Sequence, residues 1–80
     1  MTQDVVEHRI RSMLGKIFDL DPGEIRLDAR FAEDLGADSL HKMELLMALE
    51  DAFHLTISES DAQTFLSAQD VIAYVRRQPR

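Results

Sequence analysis

Helical periodicity is the strongest constraint on how this 80-residue chain folds. Three segments carry apolar residues at intervals of three or four positions, as one face of an α-helix requires. The first segment ends before the turn-forming residues Asp21-Pro22-Gly23. The second runs from Leu40 to about Phe53, and the third from Ala68 to Val75. Because no run alternates as a β-strand does, the sequence predicts an all-α fold.

The segments between the helices complete the predicted architecture. Residues 19–38 lack a sustained period, and their apolar residues are Ile25, Leu27, Phe31 and Leu35. We expect these side chains to hold a long first loop, with a short helical turn, across the core. Residues 58–65 have room for only a short helix. The prediction is therefore one domain over residues 1–80, a small bundle of three main helices plus one short helix, with a long first loop.

Two capping pairs are predicted at helix starts. Asp4 with Glu7 would cap the first helix, and Ser67 with Asp70 would cap the last. In such pairs the first residue and the third helical residue satisfy backbone N–H groups that have no partner inside the helix.

Composition excludes several classes of protein. The chain has no cysteine, which excludes disulfides and cysteine zinc sites. No stretch approaches the roughly 20 apolar residues of a membrane span, and the N-terminus lacks the features of a signal peptide. We therefore expect a cytoplasmic protein without membrane insertion. Residues 19–30 do not fit a calcium loop, because Arg30 stands where a bidentate glutamate belongs, so we expect no metal site.

Charge is concentrated in the middle of the chain. Residues 31–70 hold nine acidic side chains and one basic side chain, Lys42, for a net charge of −8. Such a surface repels nucleic acid and anionic membranes and favours basic patches on protein partners. The simpler interpretation is that the charge only maintains solubility.

Ser39 lies where the irregular stretch gives way to the second helix. The first turn of a helix has unpaired N–H groups and a partial positive charge, which favour a phosphate. A serine there is suited to carry a phosphoryl group. The alternative is that Ser39 only caps the helix.

The second helix is apolar over most of its circumference. Helical projection assigns one side to the core, comprising Leu45, Leu46, Leu49, Ala52 and Phe53. The opposite side carries Leu40, Glu44, Met47 and Asp51, flanked by Met43 and Glu50. Large apolar residues mixed with carboxylates indicate a docking surface for a basic protein. Alternatively, Leu40 and Met47 pack under the long loop and the acids are solvated.

The string Leu35-Gly36-Ala37-Asp38-Ser39-Leu40 and the helix after it resemble the acyl carrier proteins of the discrete, bacterial fatty-acid type. The similarity extends from about Phe31 to Val75. It implies that Ser39 bears 4'-phosphopantetheine, attached covalently and derived from coenzyme A. It also implies that Asp38 and Leu40 frame Ser39 for the phosphopantetheinyl transferase.

The same resemblance implies the function and the partners. Basic patches on acyl synthase and transferase enzymes would meet Glu44, Met47, Glu50 and Asp51. The protein would tether acyl groups as thioesters and present them to synthase enzymes in fatty acid or related acyl-chain biosynthesis. It would be a monomer and not an enzyme. The open alternatives are a carrier of polyketide, aminoacyl or peptidyl groups, or, in another class, a non-covalent helical interaction module.

The chain departs from the family pattern just after the serine. His41 replaces a residue that is usually acidic, Lys42 a small polar one, and His54 what is often an acid. These changes suggest a specialised member, in which His41 and Lys42 partly offset the charge of the attached phosphodiester. The alternative is that both side chains are merely solvated.

A hydrolytic role for Ser39 is the main competing chemistry. The string Ala37-Asp38-Ser39-Leu40 matches half of a nucleophile elbow, but the second glycine of that motif is missing. A chain of this length lacks the scaffold for a catalytic triad, and we place His8, His41 and His54 on separate elements. We expect no catalytic residue.

Overall fold

A computed structural model describes the backbone of residues 2–78 and the side chains of residues 5–78. Its α-helices are α1 (Thr2–Phe18), α2 (Ser39–Phe53), α3 (Glu59–Ala62) and α4 (Ala68–Arg77), with a 3-10 turn at Pro22–Glu24. Within residues 2–78 there is no strand, only an isolated bridge between Arg30 and Ser67. The predicted all-α bundle, its short third helix and its long first loop are confirmed. None of the described helices combines the length and the apolar character needed to cross a membrane.

The core joins one face of each long helix to side chains from the first loop. Its fully buried large side chains are Phe31, Ile10, Leu14, Ile25, Leu49 and Val71. In α2, Leu45 is also buried, while Leu46 and Phe53 pack against the core from partly buried positions. Helical periodicity therefore identified the core side of α2 correctly.

The long first loop is hydrogen-bonded to α1 and to the segment where α4 begins. The Arg11 guanidinium of α1 donates to the Ile25 carbonyl oxygen at 2.6 Å. On the other side, the Gln69 N–H donates to the Leu27 carbonyl at 2.9 Å, and the Phe31 N–H to the Leu66 carbonyl at 2.9 Å. These bonds satisfy backbone groups that the loop does not pair within itself. The loop is thus held in place over residues 25–31.

Two ring contacts join α1 to both ends of α2. From the middle of α1, the Arg9 guanidinium lies 5.0 Å from the centre of the Phe53 ring at the end of α2. At the end of α1, the Phe18 ring stacks on His41 near the start of α2, with 4.9 Å between ring centres. The two helices are therefore antiparallel, and the first turn of α2 is fixed against the last turn of α1.

The helix ends test the predicted capping pairs. The Asp70 carboxylate accepts a hydrogen bond from the Ser67 N–H at 3.1 Å, as predicted for the last helix. The prediction for Asp4 is wrong, because the helical backbone of α1 already begins at Thr2. Asp4 is therefore inside the helix, and its side chain is outside the described part.

Candidate functional site

Ser39 is the first residue of α2, and its side chain is exposed. The residue before it, Asp38, has the extended backbone of an N-cap, and its carboxylate accepts the His41 N–H at 3.0 Å. Asp38 therefore does the capping, which excludes the interpretation of Ser39 as a capping residue. The Ser39 hydroxyl stands at the positive end of a 15-residue helix.

Asp38 and His41 bond to each other in both directions. The Asp38 N–H donates to Nδ1 of His41 at 3.3 Å, which completes a capping box with histidine where glutamate or glutamine is usual. The pKa of the Asp38 carboxyl is held below its usual range, chiefly because the His41 backbone N–H donates to it. Nδ1 also lies 3.0 Å from Oδ1 of Asp38, so protonation of Nδ1 would replace the bond from the Asp38 N–H with an ion pair to the carboxylate. The reciprocal bonds close the turn that contains Ser39.

The His41 ring belongs to a column of three rings. It stacks on Phe18 at 4.9 Å with 26° between the planes, and Phe18 stacks on Phe31 at 6.3 Å. Phe31 is 2% exposed and lies in the core. This packing contradicts the interpretation of His41 as a merely solvated side chain. Sequence reasoning did not predict the stack. The bond between His41 and Asp38 was predictable, because His41 is at the third helical position, where the partner residue of a capping box lies.

The outer side of α2 is open. Leu40, Met43 and Met47 are 63%, 60% and 64% exposed, and the acidic residues of the same side, Glu44 and Asp51, are exposed as well. Leu40 and Met47 therefore do not pack under the long loop. An uncovered apolar stripe with carboxylates beside it is the arrangement that the docking interpretation requires.

Glu50 differs from the other acids of α2. It is partly buried, and its carboxylate accepts the Ile57 N–H at 2.9 Å. It therefore holds the segment after α2 against the helix, a structural role that sequence reasoning missed because the two residues are seven positions apart. A role for Glu50 in docking stays a prediction.

The other departures from the family pattern, Lys42 and His54, lie outside the ring column of His41, Phe18 and Phe31. Lys42 is exposed in the first turn of α2. His54 follows the helix at its other end, with a left-handed backbone (φ 55°) whose N–H bonds to the Glu50 carbonyl. The two residues therefore occupy opposite ends of α2. That His41 and Lys42 indicate a specialised partner set stays a prediction.

The geometry around Ser39 also bears on hydrolytic and metal chemistry. His41 is on the same helix as Ser39, because α2 begins at the serine, while His8 is in α1 and His54 follows the end of α2, as expected. Residues two apart on a helix do not face each other, and the His41 ring lies on Phe18. Ser39 and His41 are therefore not arranged as a nucleophile and its base. Among the described side chains, no group of three possible metal ligands is present.

The site fits a covalent phosphodiester. The hydroxyl is exposed, needs no pocket, and lies beside the unpaired N–H groups of the first turn of α2. A long arm attached there would extend from the surface rather than pass through the core.

Comparisons with known proteins agree with this geometry. Residues 8–75 match the family described as "Phosphopantetheine attachment site". An acyl carrier protein of Phaeodactylum tricornutum is 41% identical over 69 residues, covering 86% of this chain and 91% of that protein. An acyl carrier protein of Akkermansia muciniphila is 35% identical over 77 residues, covering 96% of each chain.

Proposed function

Because this chain belongs to the acyl carrier protein family, we propose that Ser39 is the residue to which its 4'-phosphopantetheine is attached. Members of this family are carriers rather than enzymes, and they hold acyl groups on the covalently bound arm. The observation that carries the assignment is the position of Ser39, exposed and first in α2, while Asp38 caps the helix.

Attachment is a phosphoryl transfer to the serine. The Ser39 oxygen forms a bond to the phosphorus that bears the pantetheine arm, and the bond from that phosphorus to adenosine 3',5'-bisphosphate breaks. The hydroxyl proton leaves to a base of the phosphopantetheinyl transferase. The N-terminus of α2 favours the negative charge that remains on the protein. Once attached, the arm supplies the thiol that forms thioesters, so a chain without cysteine is sufficient.

The outer side of α2 is the proposed docking surface for the transferase and for acyl synthase enzymes. Leu40 and Met47 provide exposed apolar contacts, and Glu44 and Asp51 attract basic patches on the partner. Asp38 and Glu50 belong to the same proposal at its edges, although each carboxylate also accepts a backbone hydrogen bond within the protein.

Fatty acid biosynthesis is the proposed pathway, from the type of carrier that the sequence resembles. A cytoplasmic location and a monomeric state stay predictions. Polyketide, aminoacyl and peptidyl carriers use the same kind of arm. The acyl species found on the protein purified from its host would distinguish these cases.

Replacing Ser39 tests the attachment site. We expect wild type, incubated with coenzyme A and a phosphopantetheinyl transferase, to gain the mass of one arm, and Ser39→Ala to gain none. The helical circular dichroism should be unchanged, because Asp38 supplies the cap. Ser60→Ala, at another exposed serine, is the matched control and should be modified like wild type. Modification of Ser39→Ala would place the arm on another residue.

Charge reversal tests the docking surface. We expect Glu44→Lys or Asp51→Lys to slow acyl transfer by partner enzymes roughly tenfold at low salt, because attraction to a basic patch becomes repulsion. Both variants should stay folded and melt no lower than wild type, because the side chains are exposed and each change removes negative charge from the acidic region. The loss should shrink in high salt, which screens exposed charges. Glu33→Lys, in the first loop, is the control, and equal rates for all variants at low salt would reject the docking role.

A further inference from the structure

We propose that His41 is a positioning residue for arm attachment, holding the turn that contains Ser39 in the conformation that the transferase uses. The proposal rests on Ser39 being the attachment site. It concerns two features of His41 that meet in one ring: the reciprocal cap with Asp38 and the stack on Phe18.

The cap fixes the turn locally. Ser39 lies between Asp38 and His41, and the bonds between these two residues close the chain around it, at 3.0 Å in one direction and 3.3 Å in the other. The first turn of a helix lacks the intrahelical bonds that hold later turns. Without the cap, the residues of this turn would exchange between helical and open conformations.

The stack fixes the same turn to the rest of the molecule. His41 lies on Phe18, Phe18 lies on Phe31, and Phe31 is 2% exposed. The backbone N–H of Phe31 is bonded in turn to the Leu66 carbonyl at 2.9 Å. The ring column therefore connects the first turn of α2 to the end of α1 and to the core.

Histidine combines functions that other capping residues do not. Glutamate at this position would accept the Asp38 N–H, but it would place a negative charge beside the future phosphodiester and has no ring for Phe18. Glutamine would avoid the charge but would also lack the ring. Because a nucleophile that is displaced reacts more slowly even when its protein is bound, we expect His41 to act on the turnover of the transferase more than on its affinity.

The experiment is steady-state kinetics of arm transfer, with the apo protein as the varied substrate, coenzyme A and a phosphopantetheinyl transferase. His41→Ala removes the ring and the acceptor for the Asp38 N–H, while its backbone N–H can still donate to the Asp38 carboxylate. His41→Gln keeps an acceptor for the Asp38 N–H, and Phe18→Leu keeps apolar bulk without the stack. His8→Ala, the same substitution at an exposed histidine of α1, is the matched control. All are assayed at a temperature at which circular dichroism shows them folded.

We expect His41→Ala to lower kcat about fivefold, the factor that corresponds to the loss of one hydrogen bond, with KM within about twofold of wild type. His41→Gln should recover part of this loss, and Phe18→Leu should lower kcat although the capping residues remain. His8→Ala should match wild type. Glu44→Lys should instead raise KM, which separates positioning from docking.

Three outcomes would overturn the proposal: an unchanged kcat in His41→Ala, an effect confined to KM, or an equal loss in His8→Ala. If His41→Ala does not fold, His41→Gln and Phe18→Leu decide the question by the same criteria. A wild-type protein that is not modified at Ser39 would reject the proposed function rather than this role of His41.

Discussion

At the scale of single residues, Gly15 determines how the chain leaves α1. Its backbone carbonyl accepts the Leu20 N–H at 2.8 Å, and a Cβ at this position would lie 2.6 Å from the Leu20 carbonyl oxygen. The Pro22 ring also approaches to 3.4 Å. The start of the long loop therefore turns back over the one surface of α1 that has no side chain.

Gly15→Ala should destabilise the protein, although alanine is the better helix former by about 1 kcal/mol. The close approach involves backbone, which has little freedom to move, and overpacking of this kind costs roughly 1–3 kcal/mol. Urea denaturation measures the net change. Gly23→Ala is the matched control, because its Cβ would meet nothing closer than 3.6 Å. A gain in stability for Gly15→Ala would show that the loop moves to accommodate the added methyl group.

At the scale of elements, α3 depends on contacts outside itself. A helix of four residues is not stable alone. The Ser58 hydroxyl accepts the Asp61 N–H at 3.1 Å, and the Tyr74 hydroxyl of α4 donates to the Asp61 carboxylate at 2.9 Å. The Tyr74 ring also packs edge-on against Phe65, with ring centres 5.1 Å apart. Tyr74 is therefore the link that holds α3 against α4.

Tyr74→Phe should release α3 while the core stays packed, because only the hydroxyl is lost. A hydrogen bond to a charged group contributes about 1.5–3 kcal/mol, so we expect a loss of stability near the lower figure for this partly buried bond. Amide exchange should quicken in residues 59–65 more than in α1. Phe65→Leu, which keeps the hydrogen bond, is the control. Exchange that is unchanged in α3 would contradict this role.

The same bond predicts a pH dependence. The Asp61 hydrogen bond, burial and the Asp61 charge raise the pKa of Tyr74 above 10.0, because each disfavours the phenolate. The resulting stability is fully present below the unfolded pKa of about 10. It is lost as pH rises through the higher folded pKa. Because Tyr74 is the chain's one tyrosine, Tyr74→Phe should flatten the alkaline decline in stability, and an identical decline in both proteins would reject the assignment.

At the scale of the whole molecule, charge opposes the fold that the core stabilises. Residues 31–70 carry a net charge of −8, and they form α2, α3 and the segments beside them. The compensating arginines, Arg76 and Arg77, lie at the end of α4. Like charges within a Debye length of about 10 Å at moderate salt repel one another, so folding concentrates a repulsion that the unfolded chain disperses.

Moderate NaCl should therefore raise the melting temperature, and MgCl₂ at equal ionic strength should raise it further by binding near the acids. A Glu44→Gln, Asp51→Asn double variant should melt higher than wild type at low salt and respond less to added salt. Thermal melts followed by circular dichroism measure both effects. A melting temperature that stays flat or falls with salt would contradict the repulsion.

The sequence by itself determined what depends on local periodicity and chemistry. The three long helices and the core side of α2, with Leu45 and Leu49, follow from 3.6-residue spacing. The structure decided that Leu40 and Met47 are exposed rather than packed under the long loop. Ser39 was identifiable as a candidate for carrying a phosphoryl group, from its place at a helix start. The loop anchors Ile25 and Phe31 were identifiable as isolated apolar residues in a polar segment.

Only the tertiary structure decided which side chains meet across elements. The stack of His41 on Phe18 joins residues 23 positions apart, the bond from Ile57 to Glu50 crosses a turn, and Gly15 matters because Leu20 folds back onto it. Such contacts depend on where α1 and α2 lie side by side and on the path of the loops. The spacing of apolar residues along the chain carries no information about helix placement or loop path, because a helix has the same periodicity wherever it is placed.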